Sequence, residues 1–430
     1  MILLPLITLV LIFFLYQKKN HFHFGIVSLI VMAYLGMACA SLVVELSGLF
    51  PGVFPYAFEP MAYLSLSFII LFLGFSGFKD NRFSAIKLDN IYLFRVLENI
   101  LIIGGFLAIG FFLPFAWRAL TGDIEQNRIQ IVYQQELLGR WGIINSIFSL
   151  LANLFILAQV CSFINLMPRN GKRNIIRAYL LLFSSFSYVV YILAYVGRDG
   201  VIFWIMSFVF CFIFFKDFLI KNDLRRIKRL FIYILPALAI PFILISVARF
   251  SERVGGVGWN IVNYGGQQLK NFNDSYPIDA PILYGRWGFP VFIKIVESTG
   301  FGVKVGPEPV ERSYYYLNYG VDPWTFNTFI GSLIGDFGKI GTLVFLCLLS
   351  LISRSITKEV SATGIFRLSK IVLFILVYQI VYWGVFYFRM YSANYYVLFL
   401  ILLFISFRVV HSSRCSFLFY KTAKADYKGL

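Results

Sequence analysis

The sequence predicts an all-α polytopic membrane protein, and three observations predict it. Of the 430 residues, 59% are hydrophobic and 14% are charged, where a soluble domain carries roughly 45–50% and about 25%. The apolar residues gather into runs near the length of about 20 that crosses a bilayer as a helix. Lys and Arg concentrate in alternate short connections, which is the positive-inside pattern. Backbone amides in lipid must be satisfied within their own segment, so runs of this kind form helices.

About eleven spans follow in order: 2–16, 24–45, 60–78, 91–117, 142–166, 175–196, 200–216, 230–248, 329–352, 370–388 and 394–410. The first has no basic residue before it and is followed by Lys18 and Lys19. That pattern predicts a first span rather than a cleavable signal peptide. The next connection, 46–59, has no Lys or Arg, and the one after it has Lys79, Arg82 and Lys87. Residues 118–141 hold Arg118, Arg128 and Arg140 beside Asp123, Glu125 and Glu136, whereas 167–174 holds Arg169, Lys172 and Arg173. The turn 197–199 has only Arg198, and 217–229 has Lys221, Arg225, Arg226, Lys228 and Arg229. Later, 353–369 holds Arg354, Lys358 and Arg367, the turn near 389–393 only Arg389, and the tail Arg414, Lys421, Lys424 and Lys428. Rich and poor connections alternate, which predicts the N-terminus outside and the C-terminus inside. The net charge of +17 is this bias. It calls for no nucleic acid and predicts a weak attraction to anionic headgroups.

Residues 1–430 read as one membrane domain. The longest connection, 249–328, lies between the eighth and ninth spans on the predicted outer side and is rich in Gly and aromatics. Loops of this length are functional or disordered. Its apolar stretch from Phe289 to Val296 places Phe292, Ile295 and Val296 on one helical face, so an ordered cap with a surface helix is expected. No internal repeat and no Walker-type loop occurs, which argues against a two-halved transporter and nucleotide-driven transport. Cys39, Cys161, Cys211, Cys347 and Cys415 are scattered, which gives no disulfide framework or thiolate metal site. His21 and His23 lack carboxylate or thiol neighbours in sequence, so no metal and no other cofactor is expected. Trp117, Trp141, Trp204, Trp259, Trp287, Trp324 and Trp383 all map to the predicted outer side. They form an interfacial belt or a surface on which sugar rings stack.

The same side carries arginines next to Gly and aromatics. Arg198 lies in Gly197-Arg198-Asp199-Gly200, and Arg249 and Arg253 flank the exit of the eighth span. Arg286 precedes Trp287, Arg312 precedes a tyrosine run that includes Tyr315, and Arg389 follows Phe388. Arginine grips phosphate through a planar fork, as a lipid diphosphate at headgroup level requires. The bland alternative is snorkelling or pairing with a nearby acid. Among the outer acids, Asp336 sits where the chain enters a span, in Gly335-Asp336-Phe337-Gly338. A charge there is costly and marks function, unless it pairs with Lys339 or meets the helix dipole. Arg95 and Glu98, near the predicted inner end of the fourth span, read as a structural pair.

From Asn327 to Gly341 the chain reads NTFIGSLIGDFGKIG. This resembles the bacterial O-antigen and oligosaccharide repeat-unit polymerases (the Wzy type) in its polar and aromatic lead-in, its Asp336-Phe337-Gly338 element and its further Gly341. The arginine-bearing turn at Arg198 and the large late outer loop are also similar to that family. The resemblance implies an enzyme of the bacterial cytoplasmic membrane without cofactor. It implies transfer of a glycan from undecaprenyl diphosphate to the non-reducing-end hydroxyl of a lipid-linked repeat unit. Arg198 and Asp336 fall on its recurring positions and are the expected catalytic residues. Arg286, Arg312, Arg249, Arg253, Arg389, Tyr315, Trp287 and Trp324 are the expected substrate-binding ones. Membrane lipids, a chain-length regulator and a flippase are the expected partners. Two alternatives are an O-antigen ligase and a transporter or flippase of lipid-linked sugars. Ligases of that group tend to show a functional histidine in the large loop, and His21, His23 and His411 lie outside it, which counts against a ligase. A transporter needs charges along a mid-membrane path.

Overall fold

The computed structural model describes residues 1–50, 54–78, 83–128, 130, 142–168, 173–251, 253–278, 280–299, 318–319, 326–389, 394–410 and 416–421. Every predicted apolar run is helical. Among the described residues, eight helices are long and apolar enough to cross a membrane. The other predicted runs form the shorter helices Leu3–Lys19, Phe58–Leu73 and Asn394–Val409. Two helices outrun the hydropathy signal: Lys221–Phe250 begins with its basic residues, and Thr328–Thr363 continues past Arg354 and Lys358. Lys, Arg and Glu are good helix formers, so a helix continues into water where the apolar run stops.

Backbone contacts group the chain into two compact units. The first contains Met1–Phe83, Val254–Gly364 and Leu373–Ile401. Within it, the buried Tyr34 hydroxyl donates to the Val381 carbonyl at 2.6 Å, with Phe68 and Phe72 edge-on to its ring. Among the described residues of the predicted loop after the eighth span, this unit contains the helices Gly256–Gly266, Gln268–Ser275 and Pro290–Ser298. The last of these covers the stretch predicted as a surface helix. It starts on a proline, whose fixed φ suits a first turn, and leaves Ile295 and Val296 exposed. Asn273 and Asp274 take the amides of Ala57 and Phe54 at 2.9 and 3.1 Å, which ties Gln268–Ser275 to the connection before Phe58.

The second unit contains Ser84–Arg253, Ile365–Val372 and Leu402–Leu430. Its helices pack through aromatic stacks. Trp204 lies between Phe186 and Phe208, with centroids 4.5 and 5.4 Å away, and its indole donates to Ser185 at 2.9 Å. A small sheet joins three connections: β1 (Ala85–Leu88), β2 (Ile365–Arg367) and β3 (Phe417–Tyr420), in the order β2-β1-β3. β1 pairs parallel with β2 from Ala85–Ile365 and antiparallel with β3 from Ala85–Tyr420. Hydropathy does not reveal these strands, because three or four residues beside a span are too few to show an alternating pattern.

Candidate functional site

The candidate residues fall into two groups, one in each unit. In the first unit the central feature is a broken helix. Thr328–Thr363 is interrupted at Gly338, where φ is 66° and ψ is 177°, a region open essentially to Gly alone. A break in a membrane helix frees carbonyls that need donors. The segment 283–288 supplies them. Leu283 N–H donates to Gly335 O at 3.1 Å and Gly285 N–H to Asp336 O at 3.3 Å. The Asp336 side chain continues the ribbon. Its Oδ1 accepts from Trp287 N–H at 3.0 Å and its Oδ2 from Gly288 N–H at 2.5 Å. Asp336 is 1% exposed, so a buried carboxylate is held by backbone amides, which are strong charge-assisted donors.

That ribbon orients the residues around it. Asn394 donates to Gly288 O at 3.0 Å and accepts from Val291 N–H at 3.3 Å, which clamps the turn onto Pro290–Ser298. Arg286 forms an ion pair with Glu297 at 2.7 Å, so one predicted phosphate ligand has an acidic partner on that helix. Phe289 packs against Phe337 and Phe388, with ring centroids at 5.9 and 5.2 Å. Arg389 belongs to the same unit and is half-buried just after Phe388. Lys339 lies 3.7 Å from Glu59 and over the Tyr276 ring at 3.9 Å. Beside it, burial and the Glu59 carboxylate push the Tyr276 hydroxyl up to about 12. Burial lowers the Lys270 ammonium, against the pull of Asp274 and Glu45.

In the second unit Arg198 is 2% exposed, ahead of the helix Asp199–Phe215. Its Nη1 donates to Ser246 Oγ at 2.9 Å, and its guanidinium lies 4.2 Å from the Phe250 ring centre. Arg249 and Arg253 approach the same ring at 5.8 and 5.4 Å. Three predicted arginines therefore converge on one phenylalanine at the end of Lys221–Phe250. Cation–π contact orients a guanidinium without using its N–H groups. Arg249 is half-buried and Arg253 exposed, so the cluster runs from a buried to an exposed guanidinium. Such a set can hold a multiply charged oxyanion in forked hydrogen bonds.

Arg312, Tyr315 and Trp324 lie outside the described residues, as does Trp141. Among the other tryptophans, Trp204 and Trp383 are buried packing residues, whereas Trp117 and Trp259 are exposed. The described tryptophans therefore do not form one exposed surface. Sequence reasoning missed Ser246, Phe250 and Asn394, three residues that orient the candidates. The signal for Ser246 and Phe250 was their place beside Arg249 at the span end, with Ser246 about one turn before it and Phe250 directly after it. Asn394 stands at the start of its own apolar run without a charge to mark it. The chain matches no family model, no curated protein and no solved structure.

Proposed function

We propose that the chain is a membrane glycosyltransferase that joins lipid-diphosphate-linked oligosaccharide repeat units into a polysaccharide on the outer side of the bacterial cytoplasmic membrane. In this reading about eleven helices span the bilayer, the N-terminus is outside, the C-terminus is inside and 249–328 caps the site. The observation that carries it is the convergence of Arg198, Arg249 and Arg253 on Phe250. A cluster of forked cations at the end of an apolar helix suits a diphosphate on a membrane-bound chain.

The acceptor hydroxyl oxygen attacks the anomeric carbon of the donor glycan. A new glycosidic C–O bond forms and the bond to the diphosphate oxygen breaks. The lipid diphosphate leaves with the electron pair, and the hydroxyl proton passes to a base or to water. Arg198, Arg249 and Arg253 stabilise the leaving charge, which grows in the transition state. Asp336 acts as a positioning residue, because both of its oxygens accept amides of the turn that carries Arg286 and Trp287.

The test is to incubate the purified protein with a lipid-linked repeat unit and no nucleotide. A ladder of longer glycans is expected, and single units alone would refute the polymerase. A transporter of lipid-linked sugars is the second reading, favoured by the broken helix at Gly338, since broken helices form transporter substrate sites. Translocation of the repeat unit across proteoliposomes without any ladder would support it instead.

A further inference from the structure

A second charged site lies within the second unit, in residues that the glycosyl transfer does not use. Glu98 is fully buried in the helix Ile91–Thr121. Its Oε2 meets Arg95 Nη1 at 2.7 Å and Arg177 Nε at 3.0 Å, and its Oε1 accepts from the Asn165 amide. Asn165 in turn accepts from Arg95 Nη1 at 3.3 Å. Arg173 pairs with the buried Asp223. Three guanidiniums thus meet two carboxylates, which leaves one positive charge in excess. The pair read from the sequence as structural is part of a network.

Beside this network is a cavity of about 470 Å³. Arg95, Asn165, Arg173 and Asn174 supply its polar lining, and Ile91 and Phe419 are among its apolar residues. Arg95 and Arg173 each engage a protein carboxylate through Nη1. Among the described residues Nε and Nη2 of both have no protein partner. Each guanidinium therefore retains donors for an oxyanion, in a cavity larger than a phosphate ion fills. Leu88, Ile91, Phe94, Ile164, Met167 and Phe419 line the cavity beside the two arginines. Guanidiniums set among hydrocarbon side chains suit the junction between a phosphate headgroup and its acyl chains. The same unit carries Lys221, Arg225 and Arg226 in the first turns of the helix that contains Asp223. This basic end is the predicted cytoplasmic one, the leaflet in which anionic lipids gather.

We propose that this cavity binds the phosphate of an anionic phospholipid. The site is independent of the glycosyl transfer proposed above. The test reconstitutes the full chain in nanodiscs of mixed phosphatidylcholine and phosphatidylglycerol, then reads retained lipid by native mass spectrometry. Phosphatidylglycerol is expected to be retained in preference, and Arg173→Gln to lower its retention about fivefold. Because Arg173→Gln also leaves Asp223 unpaired, Ile91→Trp provides a second variant that fills the cavity and touches no ion pair. It is expected to lower retention with an unchanged unfolding temperature. Equal retention of the two lipids, or unchanged retention in Ile91→Trp, overturns the proposal. A rise in unfolding temperature with inorganic phosphate and no preference for the anionic lipid assigns the cavity to free phosphate and overturns the lipid assignment.

Discussion

Gly288 donates its backbone N–H to Asp336 Oδ2 at 2.5 Å, and a Cβ at position 288 would lie 2.5 Å from that same oxygen. It would also meet the Phe388 ring at 3.1 Å. The carboxylate and the turn fit only because residue 288 has no side chain. Gly288→Ala should therefore destabilise the chain by about 1–3 kcal/mol, the cost of forcing an extra carbon into a packed site. Thermal unfolding in detergent reads it, and a variant as stable as the parent would show that the turn yields easily.

Asp336→Asn keeps the shape but places an amide NH2 where Oδ1 or Oδ2 now accepts. A donor then faces a donor, which costs about 1–3 kcal/mol for the unsatisfied buried group. Long-chain product should disappear or fall sharply. The pH dependence separates positioning from proton transfer. Loss of a positioning carboxylate lowers the rate at all pH values and leaves the profile shape unchanged. Loss of the acidic limb of the profile in Asp336→Asn would instead identify a general base.

Arg198→Lys retains the charge and loses the fork, along with the fixed donor geometry toward Ser246. We expect at least about a tenfold loss of polymerisation, since bidentate phosphate binding does not survive this exchange. Phe250→Leu should raise KM for the lipid-linked donor by about tenfold, because three guanidiniums lose the ring they share. An unchanged KM in Phe250→Leu would sever the link between the cluster and the substrate.

Gly338→Ala addresses the break itself. At φ 66° and ψ 177° the new Cβ would also approach Ile282 Cδ1 at 2.8 Å. Left-handed strain of this kind costs about 1–3 kcal/mol. The expected result is lower stability and a chain driven toward a continuous helix, which would withdraw Gly335 and Asp336 carbonyls from Leu283 and Gly285. Amide exchange at Leu283 and Gly285 should then quicken, and unchanged exchange would mean that the ribbon does not depend on the break.

The helices were legible because lipid-length apolar runs have few other ways to satisfy their backbone. Asp336 was legible as a charge at a costly depth, and Arg198 as a cation pinned between glycines. The partners were not. The Asp336 contacts reach 48 and 49 residues back to backbone amides, and amides leave no mark in side-chain pattern beyond Gly285 and Gly288. Phe250 is one of 49 phenylalanines, and nothing local distinguishes the one that three arginines share. β1 pairs with two segments far along the chain through only three or four residues. The division of candidate residues between two units is likewise a matter of which helices pack, which hydropathy does not encode.

Tyr276 gives a pH-dependent test outside the membrane-spanning helices. Its hydroxyl donates to Glu59 at 3.1 Å, and Lys339 lies over its ring. Burial first, then Glu59, raises its pKa from 10.0 to about 12. A group raised in the folded state adds stability that is fully present below the unfolded pKa and is lost as pH climbs through the folded one. Its contribution should thus be intact below 10 and decline from there to about 12. Lys270 acts in the opposite sense, because its folded pKa is lowered and its penalty fades as pH rises toward 10.5. Tyr276→Phe removes the hydrogen bond, at a cost of about 1 kcal/mol, and removes this alkaline loss with it. The gap in unfolding temperature between parent and Tyr276→Phe should therefore narrow across that window. A gap that stays constant would mean that the Tyr276 hydroxyl titrates alike in folded and unfolded chains.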